Sequence, residues 1–321
     1  MEKFLSNQIV KQLDMLYDLK PASQTLPRIS TKIFGVLTPH TPTPPKSKQK
    51  TPEGSVQLGS PSFFTKIMGK RLFLFDVNSL YPFCFINRFP SKTNISITSR
   101  LMTITKAEII PPNFSRTPHP LISNRNGNTF YTPEEIKYLV RSGYTLKITD
   151  QLRLPYKTNI FADFVIHLFS RKKNHPKLVK HLLNSFYGKL ISSEVSNTTI
   201  LAPQCMLSYS RVYTHTIMSN KTNTSFYTDT DSFTVQHPFK TNTSQRLGLC
   251  KNTLSQLKFK AADSMNITSP RNYTFITGNK KGAKNIGTGH NLKHIGNPTY
   301  RIIRINGERV NSISTVEFIY N

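Results

Sequence analysis

Acidic residues are scarce in this chain: 16 Asp and Glu stand against 43 Lys and Arg, for a formal net charge of +27. That imbalance makes a polyanion the leading expectation for a partner, with nucleic acid ahead of a membrane. Cysteine is scarce too. Cys84, Cys205 and Cys250 lie far apart without CxxC or Cys/His spacing, so neither a zinc site nor a disulfide framework is indicated, and a reducing interior is the plain reading. No apolar run reaches the ~18 residues that a membrane-spanning helix needs. The N-terminus, MEKFLSNQIVKQLDMLYDLK, lacks the apolar core and small-residue cleavage site of a secretory signal. Its Glu2, Asp14 and Asp18 also argue against a mitochondrial transit peptide. The expectation is a soluble protein made where it works. What the chain does have is bulk: 321 residues, 37% of them apolar, enough for a real core with about two or three subdomains around one cleft.

Leu5, Ile9, Leu13 and Leu16 fall at helical spacing and predict an amphipathic helix near the N-terminus. From Thr38 to Pro61 the composition turns to Pro, Thr and Lys, which builds no packed element and reads as a basic linker. RLFLFDV (71–77) predicts a strand whose alternation sets Leu72, Leu74 and Asp76 on one face, followed by a tight turn in NSLYP. Thr132, Pro133 and two glutamates open a helix over 133–142 that Gly143 closes, and it reads as scaffold. IFADFVIHLFSRKK and LVKHLLNSFYGKLI, parted by Asn174, His175 and Pro176, predict a helical hairpin with a basic tip. FYTDTDSFTV predicts two short strands around an acidic turn.

Because acids are few, their clustering is informative. In DTDS, Asp229 and Asp231 are two residues apart between apolar strand segments, where mutual repulsion calls for a cation unless the pair merely caps the turn. Hard oxygen donors of this kind select Mg2+ or Mn2+. Asp76, at the end of a core strand, can meet that hairpin and complete a site for two ions about 4 Å apart. Lys180, Asn184, Tyr187 and Gly188 share one helix face, leaving Leu182, Leu183, Phe186 and Leu190 to pack. A lysine there suits phosphate, a tyrosine suits base stacking and a glycine admits a nucleic-acid backbone; a solvated amphipathic helix is the plain alternative.

At these residues the sequence resembles the family B DNA polymerases, in their organellar, plasmid and viral branch with its protein-primed members. FDVNSLYP is similar to the first polymerase motif, KHLLNSFYG to the second (Kx3NSxYG) and YTDTDS to the third, in order, within a resemblance running from residue 52 to about 287. It implies an α+β right-hand fold with an antiparallel-sheet palm, helical-hairpin fingers and a small thumb. The expected division is an N-terminal helical segment (1–37), a linker (38–62), palm (63–159), fingers (160–192), palm again (193–240) and a basic thumb-like region (241–321). The implied activity is DNA-directed DNA polymerisation from primer-template DNA and dNTPs, with two Mg2+ or Mn2+ ions.

By the same resemblance Asp76, Asp229 and Asp231 are catalytic, with Asp76, the Val77 carbonyl and Asp231 as metal ligands. Ser79, Leu80, Tyr81, Arg171, Lys180, Asn184 and Tyr187 bind the nucleotide, Tyr81 excluding a ribose 2′ hydroxyl. Gly188, Arg271, Tyr273 and Lys281 touch DNA, Arg271 replacing the lysine usual before Tyr273. MLSYSRVYTHTIM resembles the helix that leads to the third motif, with Arg211 in the expected place or, equally, a surface arginine on a packing helix. The first 60 residues carry no DxE arrangement, so no exonuclease is expected in this chain, and the insertion between second and third motifs looks short. The resemblance adds a terminal protein primer and a separate exonuclease-bearing chain as further partners to look for. The alternatives are an inactive polymerase remnant and a non-catalytic basic nucleic-acid-binding protein. Lys, Asn, Ile, Phe and Thr enrichment suits an AT-rich genome, giving a mitochondrion as the expected location, with a viral origin as the alternative.

Overall fold

The computed structural model describes residues 65–67, 71–90, 100–110, 130–157, 160–191, 201–218, 225–229, 231–239, 246–257, 260–269, 272–277, 280–284 and 293–295. The expected N-terminal helix and the Pro/Thr/Lys linker lie outside them. The elements run β1 (Thr65–Ile67), β2 (Phe73–Val77), α1 (Leu80–Cys84), β3 (Phe89–Pro90), β4 (Leu101–Ile110), β5 (Phe130–Tyr131), α2 (Pro133–Arg141) and β6 (Thr145–Lys157). They continue with α3 (Ala162–Ser170), α4 (Pro176–Ile191), α5 (Leu201–Met218), β7 (Ser225–Asp229), β8 (Ser232–Val235) and β9 (Cys250–Asn252). A 3-10 turn (Thr253–Leu257) precedes β10 (Ser264–Ser269), β11 (Asn272–Thr277), β12 (Lys280–Lys284) and β13 (Lys293–Ile295).

The chain forms two compact units; among the described residues one holds 79–110 and 130–212, the other 65–78 and 213–295. In the first, a sheet in the order β3-β6-β4-β5 is built around the long antiparallel pairing of β4 with β6. α2 starts as its sequence dictates: Thr132 accepts a hydrogen bond from the Glu135 amide at 3.4 Å, Pro133 has no N–H to lose, and Glu134 and Glu135 occupy the first turn. It ends before Gly143, whose φ of 83° is where a side chain would be strained. α3 and α4 form the expected helical hairpin, turning at 171–174 with Pro176 opening α4.

That hairpin is anchored by rings. Phe161 meets Phe85, Phe89 and Phe186 edge to face, and Phe164 lies 4.6 Å from Phe186. Each fully buried phenylalanine contributes roughly 1.5–3 kcal/mol from transfer alone, so α4 is fixed by Leu182, Leu183 and Phe186 as its sequence pattern requires.

In the second unit β2 is an inner strand of the sheet β7-β8-β2-β9. It is also buried on both faces: Leu72 and Leu74 join Tyr227, Leu254, Met265, Tyr273 and Phe275 on one, while Phe75 meets Phe233 and Phe239 on the other. A second antiparallel sheet runs β1-β10-β11-β12-β13. NSLYP is only in part the tight turn its residues suggest. Asn78 and Ser79 make the turn, and Leu80–Cys84 coils into a short helix, with Pro82 inside a first turn that needs no amide from it.

Candidate active site

The acids gather in the second unit. Asp76 lies one residue before the end of β2, opposite Ser232 of β8 on one side and Lys251 of β9 on the other. The Val77 amide donates to the Asp231 carbonyl at 2.7 Å, which ties the hairpin turn to the end of β2 and makes Asp76, Val77 and Asp231 neighbours. The backbone of Asp229 pairs with Ser232 to close that hairpin; its side chain lies outside the described set. The turn after β2 is held in place: Asn78 N–H donates to the Leu249 carbonyl, its Nδ2 to the Arg246 carbonyl, and the Gly248 amide donates back to the Asn78 carbonyl. One contact was not anticipated. Lys251 Nζ lies 2.9 Å from Asp76 Oδ1, both groups partly exposed.

Carboxylates on neighbouring strand ends are the donor chemistry that Mg2+ or Mn2+ prefers, and Asp76 and Asp231 fit that role. Among the described residues no group of three or more His, Cys, Asp or Glu is gathered for a metal. Burial and the nearby Asp76 charge push the Cys250 thiol up to about 12. A cavity of about 730 Å3 in this unit is lined by Phe73, Phe75, Phe239, Arg71 and Lys260 among others, with no acid among its described residues.

The first unit carries the residues expected to meet a nucleotide. Ser79 adopts φ 58° and ψ 55°, a left-handed conformation that costs a non-glycine residue roughly 1–2 kcal/mol. Its hydroxyl accepts from Lys172 Nζ at 2.9 Å. Lys172 was not singled out in the sequence, where Arg171 beside it drew attention; Lys172 also lies over the Phe169 ring. Arg171 turns back along its helix and donates from Nη1 to His167 Nδ1 and to the His167 carbonyl. Leu80 is buried, and Tyr81 stacks at 4.6 Å and 50° on Tyr187. Burial holds the Tyr187 phenol well above its usual range, against the smaller opposing effects of Tyr81 and the Arg211 charge.

Lys180 and Asn184 are exposed on α4. Gly188 is exposed too, and a Cβ placed there would meet nothing within 4 Å. Tyr273 is buried against Tyr227 at 5.5 Å, within the core of the second unit. Lys281 lies on β12, paired with Ile276 and Ile295; Arg271 is outside the described residues.

Arg211 is no surface arginine. It is almost wholly buried, with Glu135 as bidentate partner, the Phe130 carbonyl as a further acceptor and the Tyr131 ring beneath its guanidinium. Ser208 donates to Glu135 and shares a hydrogen bond with Thr132, the residue that caps α2. Burial raises the Glu135 carboxyl, with Arg211 and Ser208 pulling it back. For Arg211, burial works against the charge and Glu135 more than restores it.

Compared with solved structures, the chain is similar to Phi29 DNA polymerase in its orthorhombic form, at TM-score 0.56 and 16% identity, covering 92% of this chain and 59% of that one. The complex of that polymerase with primer-template DNA and incoming nucleotide matches at 0.58 and 15%, covering 86% and 60%. Its post-translocation complex with primer-template DNA matches at 0.58 and 16%, covering 95% and 62%. The chain thus spans less than two thirds of the length of these polymerases, and at such identities the likeness establishes the fold, an α+β polymerase fold. No curated protein matches the chain. Residues 54–272 match the family model for DNA polymerase type B, organellar and viral. The chain belongs to that family.

Proposed function

We propose that the chain is the polymerising part of a DNA-directed DNA polymerase that adds dNTPs to a primer 3′ hydroxyl in DNA replication. The observation that carries this reading is the Val77–Asp231 backbone bond, which brings the first and third family motifs together at one end of the sheet. Asp76, the Val77 carbonyl and Asp231 would hold two divalent ions, with Asp229 as a supporting acid. Ions bound there favour the deprotonated 3′ hydroxyl and offset charge on the departing pyrophosphate. The remaining work falls to the chain's own groups. Lys180 and Arg171 offer cations to the triphosphate, and Ser79 and Leu80 offer backbone amides. Tyr81 closes the space a 2′ hydroxyl would need, and Tyr187 and Asn184 line the pocket beside it. Gly188, Arg271, Tyr273 and Lys281 are assigned to primer-template DNA.

In this reading the sheet β7-β8-β2-β9 is the palm, the α3–α4 hairpin the fingers and the basic chain after β9 the thumb, so the thumb expected from residue 241 starts only once β9 has joined the palm sheet. The decisive experiment is primer extension. Purified protein should extend a primed template with dNTPs and Mg2+ or Mn2+, and Asp231→Ala should abolish extension while DNA binding persists. Binding without extension under either metal would leave the inactive-remnant reading; salt-sensitive binding indifferent to divalent ions would leave the non-catalytic one. Protein priming, a partner exonuclease and a mitochondrial or viral location are further proposals. The DNA flanking the reading frame decides the last.

A further inference from the structure

We propose that Lys251 sets the metal-ion affinity of the acidic site by competing for the Asp76 carboxylate; the inference rests on the proposed role of Asp76 as a metal ligand. Lys251 and Asp76 are direct partners in the antiparallel register of β9 and β2, so their side chains leave the sheet on the same face, about 5 Å apart at Cβ. The ammonium reaches Asp76 Oδ1 at 2.9 Å.

The lysine's backbone is not a loose tether. On one side Cys250 pairs with Val77; on the other Asn252 pairs with Phe75, and its Nδ2 donates to the Lys260 carbonyl. The next residue, Thr253, donates its hydroxyl to the Leu74 carbonyl at 3.1 Å, pinning the end of β9 to β2 again. The charge is therefore delivered to Asp76 by the sheet itself.

An ammonium and a divalent cation seek the same carboxylate lone pairs. While Lys251 engages Oδ1, an incoming ion meets a carboxylate whose charge is partly neutralised and one of whose oxygens is already an acceptor. Even after Lys251 swings away, its positive charge stays within several ångströms of the ion. In a solvated, partly screened site that repulsion weakens ion binding by about 3- to 10-fold. Neither motif containing the acids reveals this residue, because β9 lies outside both.

The test measures Mn2+ binding to the full chain by the loss of the free-ion electron paramagnetic resonance signal, for wild type, Lys251→Met, Lys251→Arg and Asp76→Asn. Lys251→Met should bind Mn2+ about 3- to 10-fold more tightly, and the Mg2+ concentration for half-maximal extension should fall by a similar factor; Lys251→Arg should match wild type. An unchanged or weaker Mn2+ affinity in Lys251→Met overturns the proposal. A change confined to the KM for dNTP overturns it as well, since Lys251 would then be a nucleotide contact. If circular dichroism shows Lys251→Met to be misfolded, Lys251→Gln carries the same expectation. Asp76→Asn separates the two layers: if it binds Mn2+ as wild type does, the metal-ligand reading beneath has failed, whatever Lys251 does.

Discussion

Arg211 donates from Nε and Nη2 to the two carboxylate oxygens of Glu135, at 2.8 and 2.6 Å, with both side chains shut off from solvent. This pair joins α5 to the first turn of α2. Because each charge is buried, removing one strands the other. Arg211→Leu or Glu135→Leu should each lower stability by about 3–5 kcal/mol, whereas the double replacement should recover much of that loss. Urea unfolding of the three variants checks this. Additive losses in the double variant would refute the coupling.

Gly188 sits inside α4, where glycine costs about 1 kcal/mol relative to alanine. No contact among the described residues requires it, since a Cβ there would meet none of them within 4 Å. Gly188→Ala should therefore raise thermal stability while weakening primer-template affinity, if DNA passes over this face of the helix. Gains in both properties would remove Gly188 from the DNA-binding set.

Tyr81 lies against Tyr187 with ring centroids 4.6 Å apart, so its ring is held in one place. A rigid wall can reject an added hydroxyl; a small side chain cannot. Tyr81→Val should raise ribonucleotide incorporation relative to deoxyribonucleotide by about 10²-fold, the scale on which a pocket discriminates by one small group. Competition assays with paired rNTP and dNTP give the ratio directly.

Burial, and then the Arg171 charge, hold the His167 pKa below its ordinary value. As pH falls through the usual histidine range the unfolded chain takes up a proton that the folded chain refuses, so stability drops over that window and is fully present only above it. At still lower pH His167 protonates in place, can no longer accept from Arg171, and repels it. Melting temperature should fall more steeply between pH 7 and 5, an interval around the ordinary pKa of ~6.5, for wild type than for His167→Asn. Parallel curves would show that His167 does not titrate in this way.

The local signals were legible. Thr132-Pro133 and Gly143 marked the ends of α2, the apolar spacing of Leu182, Leu183 and Phe186 gave the packed face of α4, and DTDS fell at the hairpin, with Asp229 ending β7 and Asp231 in the turn before β8. What the sequence hid was every contact set by partner choice rather than by period. Glu135 read only as one of two glutamates in the first turn of a scaffold helix, yet its partner is 76 residues away. Lys172 meets Ser79 across 93 residues, and Lys251 finds Asp76 through a strand that carries no motif. Alternation in RLFLFDV placed Leu72, Leu74 and Asp76 on one face of β2, but it could not reveal which strands flank β2 or that Phe75 packs on the other face.

That inner position of β2 has a consequence for how the protein is made. Thr253 and Leu74, which close the sheet, are 179 residues apart in the chain, and β8 pairs with β2 across a similar interval. A ribosome will thus have released β2 long before either of its neighbours exists, leaving an apolar strand with both edges open during synthesis. Such late, long-range closure is slow and exposes the nascent chain to association with other strands. Shielding of residues 72–77 by a chaperone, rather than any property of the finished site, would then limit how much active protein a cell obtains.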